Sequence, residues 1–257
     1  MKHMLKRLLA ALGYRVVRMA PTGTAPGEWP VELTRAERDV IEHVVRDQLT
    51  MVSRERLYAT ALACKHVLEC AVPGDFVECG VWRGGNSLVA ASIFRASGDR
   101  RTVRLFDTFA GMTEPTSSDV RARDGQDAMA EFLTNRTDTH NAWCYASLDD
   151  VTSSFEALGL LGPNVQFVQG DVARTLKDAS NLPERISVLR LDTDWYESTR
   201  LELETLYPRL SPGGVLILDD YGHWEGARKA VDEYFTNHPR PLLQYTDYTG
   251  RMGVKPA

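Results

Sequence analysis

Five short apolar runs recur along the chain, with helix-length segments between them. They are DFVEC (75–79), TVRLFD (102–107), VQFVQ (165–169), ISVLRLD (186–192) and GVLILDD (214–220). None shows the strict polar alternation of a strand with one wet face. Near-continuous apolar strands are covered on both faces, which is the condition of a parallel sheet. Segments 85–97, 147–159, 171–179 and 196–207 have the length of crossover helices. Strand and helix alternating in this way predict an α/β fold with a doubly wound, mostly parallel sheet. After a helix near 224–237, LLQYT and MGVKP read as an antiparallel hairpin at the C-terminal sheet edge.

Upstream of the first strand the pattern is helical. Thr34-Arg35-Ala36-Glu37 has the form of a capping box opening a helix through about residue 48. Ser53 can cap a second helix whose Leu57, Ala61, Cys64 and Leu68 follow the helical period. We therefore expect one domain over residues 31–257, with N-terminal helices in 31–74. The long polar segment 108–146 is expected to act as an acceptor lid, since connections of this length are usually functional. Residues 1–30 form a separate arm and linker. Residues 1–27 carry Lys2, Lys6, Arg7, Arg15 and Arg18 and no acid, although the whole chain has a net charge of −5. Leu5, Leu8, Leu9 and Leu12 put an apolar stripe opposite those charges, so the arm reads as an amphipathic helix rather than a signal peptide. Residues 1–20 either pack on protein or dock on a membrane surface.

Composition removes several classes. At 43% hydrophobic and 25% charged residues, the 257-residue chain is neither disordered nor fibrous. No apolar run approaches the roughly 18 residues of a membrane span. The acidic balance argues against nucleic acid as a partner. Cys64, Cys70, Cys79 and Cys144 form no CxxC and fit a reducing cytoplasm, if need be at the inner membrane surface.

The first strand ends in Glu78-Cys79-Gly80-Val81-Trp82-Arg83-Gly84-Gly85. Glycines between a strand and a helix place a ligand at the strand's carboxyl end. A dinucleotide fingerprint needs glycine where this chain has Trp82, so close pyrophosphate approach is obstructed. Glu78 also suits a cationic or hydroxyl-bearing ligand better than a phosphate. S-adenosylmethionine fits, having an amino group, a ribose and a sulfonium but no phosphate. Asp107, ending the second strand, is placed to accept ribose hydroxyls. The bland alternatives are a structural turn and a turn-capping Asp107.

The fourth and fifth strands end LRLDTDWY and LILDDYGHW. If they are neighbours, Asp192, Asp219 and Asp220 converge at one edge. Their repulsion would be relieved by a divalent cation, and an oxygen-only ligand set selects Mg²⁺ first. Asp194 is a further ligand only if extended alternation persists beyond Asp192. The competing reading has one Asp capping a helix and the others solvated.

The segments FVECGVWRGGNS, LFDTFAGM, VLRLDTDWYEST, LSPGG and LILDDYGHWEGARKAVDEYF resemble the macrocin/mycinamicin-type (TylF-like) sugar O-methyltransferases over residues 75–236. The resemblance implies a Rossmann-like class I methyltransferase fold, S-adenosylmethionine as donor, Mg²⁺ dependence and a sugar hydroxyl as acceptor. It implies that Asp192, Asp219 and Asp220 hold the metal and that Asp192 is the base. It also implies that Glu78, Gly80, Trp82, Arg83, Gly84 and Asp107 line the cofactor site, with Ser147 and Asp171 towards the adenine. A homo-oligomer is the accompanying expectation.

His140 in the expected lid is an alternative base. His223 can orient a metal ligand. Trp195, Tyr196, Tyr221 and Trp224 flank the acids and suit the apolar faces of a sugar. The acceptor is then a glycan, a glycosylated natural product or a nucleotide sugar. Three rivals remain: a catechol-like diol methyltransferase, a nicotinamide-dependent oxidoreductase, and a non-catalytic membrane-surface module.

Overall fold

The structure is a computed structural model that describes residues 29–257. The expectations for the basic arm fall mostly on residues 1–28, outside the described residues. One compact unit runs from Glu32 to Ala257.

Two helices open this unit. Helix α1 (Arg35–Arg46) starts at the expected capping box, in which Thr34 and Glu37 exchange bonds, and it buries Ile41 and Val44. Helix α2 (Arg54–Glu69) starts at Ser53, whose side chain accepts the Arg56 N–H. Leu57, Ala61 and Cys64 are buried as expected, while Val67 rather than Leu68 completes the buried face. Ser53 Oγ also donates to Asp247 at 2.6 Å, tying this helix to the chain's C-terminal turn.

The α/β alternation follows. Strands β1 (Asp75–Cys79), β2 (Val103–Asp107), β3 (Val165–Gln169), β4 (Ile186–Leu191) and β5 (Leu210–Leu218) are all parallel. The helices are α3 (Gly85–Ala96), α4 (Ala128–Thr134), α5 (Leu148–Ala157), α6 (Val172–Thr175), α7 (Tyr196–Leu206) and α8 (Glu225–Tyr234). Short strands β6 (Gln244–Tyr245) and β7 (Arg251–Val254) form the antiparallel hairpin, with β7 against β5. The sheet order is β3-β2-β1-β4-β5-β7-β6. The expected α/β architecture is therefore present.

Chain order reverses between β1 and β4, so their carboxyl ends frame the crevice where such sheets bind ligands. Every residue of β4 is buried, including Arg190 at 1% exposure. Phe76, Val77, Leu105, Phe106, Leu189 and Leu216 form the apolar centre around it.

Some boundaries differ from the sequence reading. The 171–179 helix is only one turn, followed by a 3₁₀ turn at Ala179–Asn181. Strand β5 begins at Leu210, within LSPGG, and ends before the two acids, so Asp219 and Asp220 lie on the loop. Segment 108–146 holds α4, capped by Asp127 on the Met129 N–H. Among the described residues no helix is long and apolar enough to cross a membrane.

Replacing Ser53 by Ala removes a helix cap and the tie to Asp247 together. We expect Ser53→Ala to lower the unfolding free energy by about 1–2 kcal/mol in urea titration.

Candidate active site

The turn after β1 reaches Asp192 without an intervening side chain. Gly80 has φ +81°, and a Cβ there would overlap the Asp192 carbonyl. The Asp192 N–H in turn donates to the Cys79 carbonyl at 2.8 Å. Asp107, across on β2, accepts from Val81 N at 2.6 Å, Trp82 N at 3.0 Å and Phe109 N at 2.7 Å. These bonds hold Trp82 in the left-handed region at φ +48°. Burial raises the Asp107 carboxyl, and the three N–H donors oppose that rise.

Beneath this turn lies an ionic cluster. Glu78 and Arg190 stand opposite each other in the parallel register of β1 and β4. Arg190 Nη1 donates to Glu78 Oε1 at 2.7 Å and to Asp192 Oδ2 at 2.6 Å, while Nη2 donates to Asp219 Oδ1. Ser87 Oγ also donates to Glu78. Burial pushes Glu78 up to about 7 despite the Arg190 charge. Burial would lower the Arg190 guanidinium, but Asp192, Asp219 and Glu78 outweigh it and hold it protonated. The other oxygen of Asp219 accepts from Arg56 of α2, and Arg56 Nε lies 3.0 Å from Asp247.

Three carboxylates converge beyond that guanidinium, and they are not quite the trio implied by the resemblance. Asp192, Asp194 and Asp220 each place an oxygen within 4.8 Å of the others. Asp219 is drawn out of this group because both its oxygens go to Arg190 and Arg56. Asp194 enters it through a backbone feature. Strand β4 ends at Leu191, the Trp195 N–H bonds back to the Thr193 carbonyl at 2.8 Å, and Asp194 has φ +68°. This is a γ-turn centred on Asp194, a strained form that collects at functional sites. Glu202 of α7 accepts from Thr193 Oγ1 at 3.0 Å and steadies the turn; burial raises its carboxyl to about 8. Burial and mutual repulsion push Asp192 and Asp220 well above the usual carboxylate range, and Asp194 up to about 8.

A buried Asp220 Oδ2 has no hydrogen-bond partner. An orphaned acid oxygen among three carboxylates, with only oxygen donors present, fits a hard divalent cation.

These groups open on a cleft of about 400 Å³. Glu78, Gly80, Trp82, Asp107 and Asp171 line it, as the sequence led us to expect. Three expected cofactor residues are not brought there. Arg83 stacks on the Trp82 ring at 5.0 Å and donates to the Gln48 carbonyl, Gly84 packs against Val151 and Phe155, and Ser147 caps α5. His140, the alternative base, is also absent from the lining. It stacks on Tyr145 at 4.1 Å and contacts Thr137 and Thr139. His223 does line the cleft, with Nδ1 at 3.0 Å from Tyr248 Oη.

The expected aromatic flank divides. Trp224 lines the cleft and its Nε1 donates to Asp194 Oδ2 at 3.1 Å. Trp195 packs behind it at 5.0 Å. Tyr196 and Tyr221 bond to Glu233 and Asp232 of α8 instead. Sequence reasoning missed Trp143, which packs edge-on against both indoles, and missed Arg56 and Arg190. An arginine two residues before an aspartate in an otherwise apolar strand was the available signal for Arg190, since both side chains share one face.

Removing one partner of a buried ion network leaves uncompensated charge. We expect Arg190→Met to cost about 3–5 kcal/mol of unfolding free energy, measured by chemical denaturation, with Arg190→Lys losing less.

Residues 24–250 match the family model for macrocin O-methyltransferase (TylF). A Streptomyces olivaceus protein named 8-demethyl-8-(2,3-dimethoxy-alpha-L-rhamnosyl)-tetracenomycin-C 4'-O-methyltransferase is 42% identical over 186 residues, covering 72% of this chain and 67% of that protein. Mycinamicin III 3''-O-methyltransferase of Micromonospora griseorubida is 37% identical over 190 residues, covering 74% of this chain and 71% of its own. Among solved structures, the O-methyltransferase NovP aligns with a TM-score of 0.69 at 33% identity, covering 81% of this chain and 82% of that one. The fold, the glycine turn beside the acids and these matches agree: the chain is an S-adenosylmethionine-dependent O-methyltransferase and belongs to the macrocin O-methyltransferase (TylF) family.

Proposed function

We propose that this enzyme methylates a sugar hydroxyl of a glycosylated natural product, with Mg²⁺ held by Asp192, Asp194 and Asp220. One observation carries the reading: those acids, with an orphaned oxygen on Asp220, face the same cleft as the donor turn and an indole wall. The names of two relatives support the acceptor class, since that of the Streptomyces olivaceus enzyme specifies a rhamnosyl-bearing substrate. The other specifies a 3'' position on mycinamicin III. Asp219, whose oxygens accept from Arg190 and Arg56, lies outside that trio. Residues 31–257 are read as one catalytic domain.

On the donor side, Gly80 and Trp82 border the cleft, Asp107 takes a ribose hydroxyl in place of its long 3.4 Å bond from Thr108 Oγ1, and Glu78, bonded to Arg190 and Ser87, lines the amino-acid end. Asp171, at the start of α6, lies towards the adenine. S-adenosylmethionine supplies a sulfonium methyl for in-line displacement by an oxygen. Mg²⁺, when bound, supplies Lewis acidity that lowers the pKa of a nearby hydroxyl. Asp192 accepts the hydroxyl proton, being the one of the three proposed ligands whose main chain packs on Gly80. Trp224 and Trp143 offer apolar faces to a pyranose ring and keep water out. The formal balance is simple. The acceptor O–H breaks, the O–CH₃ bond forms, the C–S bond breaks with its electron pair staying on sulfur, and the proton passes to Asp192.

Asp192→Asn is expected to lower kcat by about 10²–10⁴-fold, the usual contribution of a general base. Its affinity for S-adenosylhomocysteine, by titration calorimetry, should stay within about twofold, because Asp107 and the glycine turn are untouched. Chelation with EDTA should abolish turnover and added Mg²⁺ restore it; full activity in EDTA contradicts the metal assignment. A panel of rhamnosides, macrolide glycosides and catechols tests the acceptor. Transfer to catechols alone would overturn the sugar assignment.

A further inference from the structure

Helices α7 and α8 begin directly after the two acid-bearing loops, and neither caps itself. Their N-cap residues, Trp195 and Trp224, make no side-chain capping bond. The first N–H of each helix is instead taken by consecutive residues of the 108–146 segment. Asp119 Oδ1 accepts from Tyr196 N at 2.8 Å, and the Val120 carbonyl accepts from Glu225 N at 3.0 Å. Asp119 is fully buried, and its other oxygen accepts from Thr116 N at 2.7 Å and Thr116 Oγ1 at 2.8 Å.

Asp119 packs closely on the first turn of α8. Gly226 lies in the first turn of α8, and a Cβ there would overlap Asp119 Oδ1. Two further bonds join the segment to the acid loops. Ala122 N donates to the His223 carbonyl at 2.8 Å, and Trp195 Nε1 donates to the Thr113 carbonyl at 3.0 Å. Trp143, from the far end of the segment, packs on Trp195 and Trp224 with ring centroids 5.5 and 6.1 Å away. The segment is thus fastened as a wall to the two helices that follow the acid-bearing loops.

We propose that Asp119 is a positioning residue for the acceptor. By joining the segment to the first turns of α7 and α8, it sets the distance between the wall residues Arg121, Glu131 and Trp143 and the acids Asp192 and Asp220. It touches neither donor nor acceptor. This rests on the reading above, in which the acceptor lies between that wall and those acids.

Three full-length variants test the proposal: Asp119→Ala, Gly226→Ala and the double variant, with Asp119→Asn as a milder probe if Asp119→Ala fails to fold. Kinetics are read on whichever acceptor of the glycoside and catechol panel the wild type methylates. Failure of the sugar assignment therefore shows in the wild type and stays separate. Each single variant should raise acceptor KM by about tenfold, with a smaller change in kcat. S-adenosylhomocysteine affinity should stay within about twofold. Gly226→Ala should add little once Asp119 is alanine, since the group it overlaps is gone. Asp119→Asn keeps one acceptor oxygen but turns an amide towards the Thr116 N–H, so it should fall between wild type and alanine. Hydrogen exchange needs no acceptor: amides of 119–128 should exchange at least about tenfold faster in Asp119→Ala or Asp119→Asn, with β1 and β4 unchanged. An unchanged KM, unchanged exchange, or donor affinity falling in parallel with KM would overturn the proposal.

Discussion

The guanidinium of Arg190 lies at the switch point of the sheet, where it is 1% exposed and bonded to Glu78, Asp192 and Asp219. Burying that many carboxylates among apolar strands is costly unless a cation accompanies them. The fixed fork of an arginine meets this need better than lysine, because its donors reach separate acceptors in one plane. One residue thereby links the strand that leads into the glycine turn, the proposed base after β4 and the acid loop after β5. Arg56 adds a second cation from α2, which binds the N-terminal helices into the same network through Asp219.

Charge accounting explains the division of labour among the acids. Glu78 and Asp219 each face a guanidinium, so they act as internal counter-ions of the fold. Asp194 and Asp220 have no arginine of their own; Asp194 accepts from the Trp224 indole, and Asp220 keeps a buried oxygen without a donor. Asp192 sits at the boundary, held on one side by Arg190 and open to the cleft on the other. The acids left short of positive charge are those gathered where a cation is proposed to bind.

Much of the scaffold was legible because its causes are local. DFVEC and VQFVQ are bounded by turn residues and become strands with those same limits. Thr34 and Ser53 announce their helices because a cap acts within four residues. Strand β5 was read short because Ser211-Pro212-Gly213-Gly214 has turn chemistry, yet a register shift against β4 keeps it in the sheet. The site was less legible because its causes are distant. Arg190 finds acids on other strands, Asp194 joins the cluster only through a left-handed backbone angle, and Asp119 caps a helix 77 residues away. His140, attractive as a lone imidazole in a polar segment, is held at the surface by its own neighbours.

The contact between Gly80 and the Asp192 carbonyl has a further consequence. Main chain meets main chain there, so the spacing between the glycine turn and the Asp192 backbone is set by covalent geometry and sheet register. Rotamer exchange, which blurs most side-chain separations, has no purchase on it. The 108–146 segment takes no part in that contact, so the proposed acceptor wall can change in sequence while the backbone frame of the proposed base stays as it is.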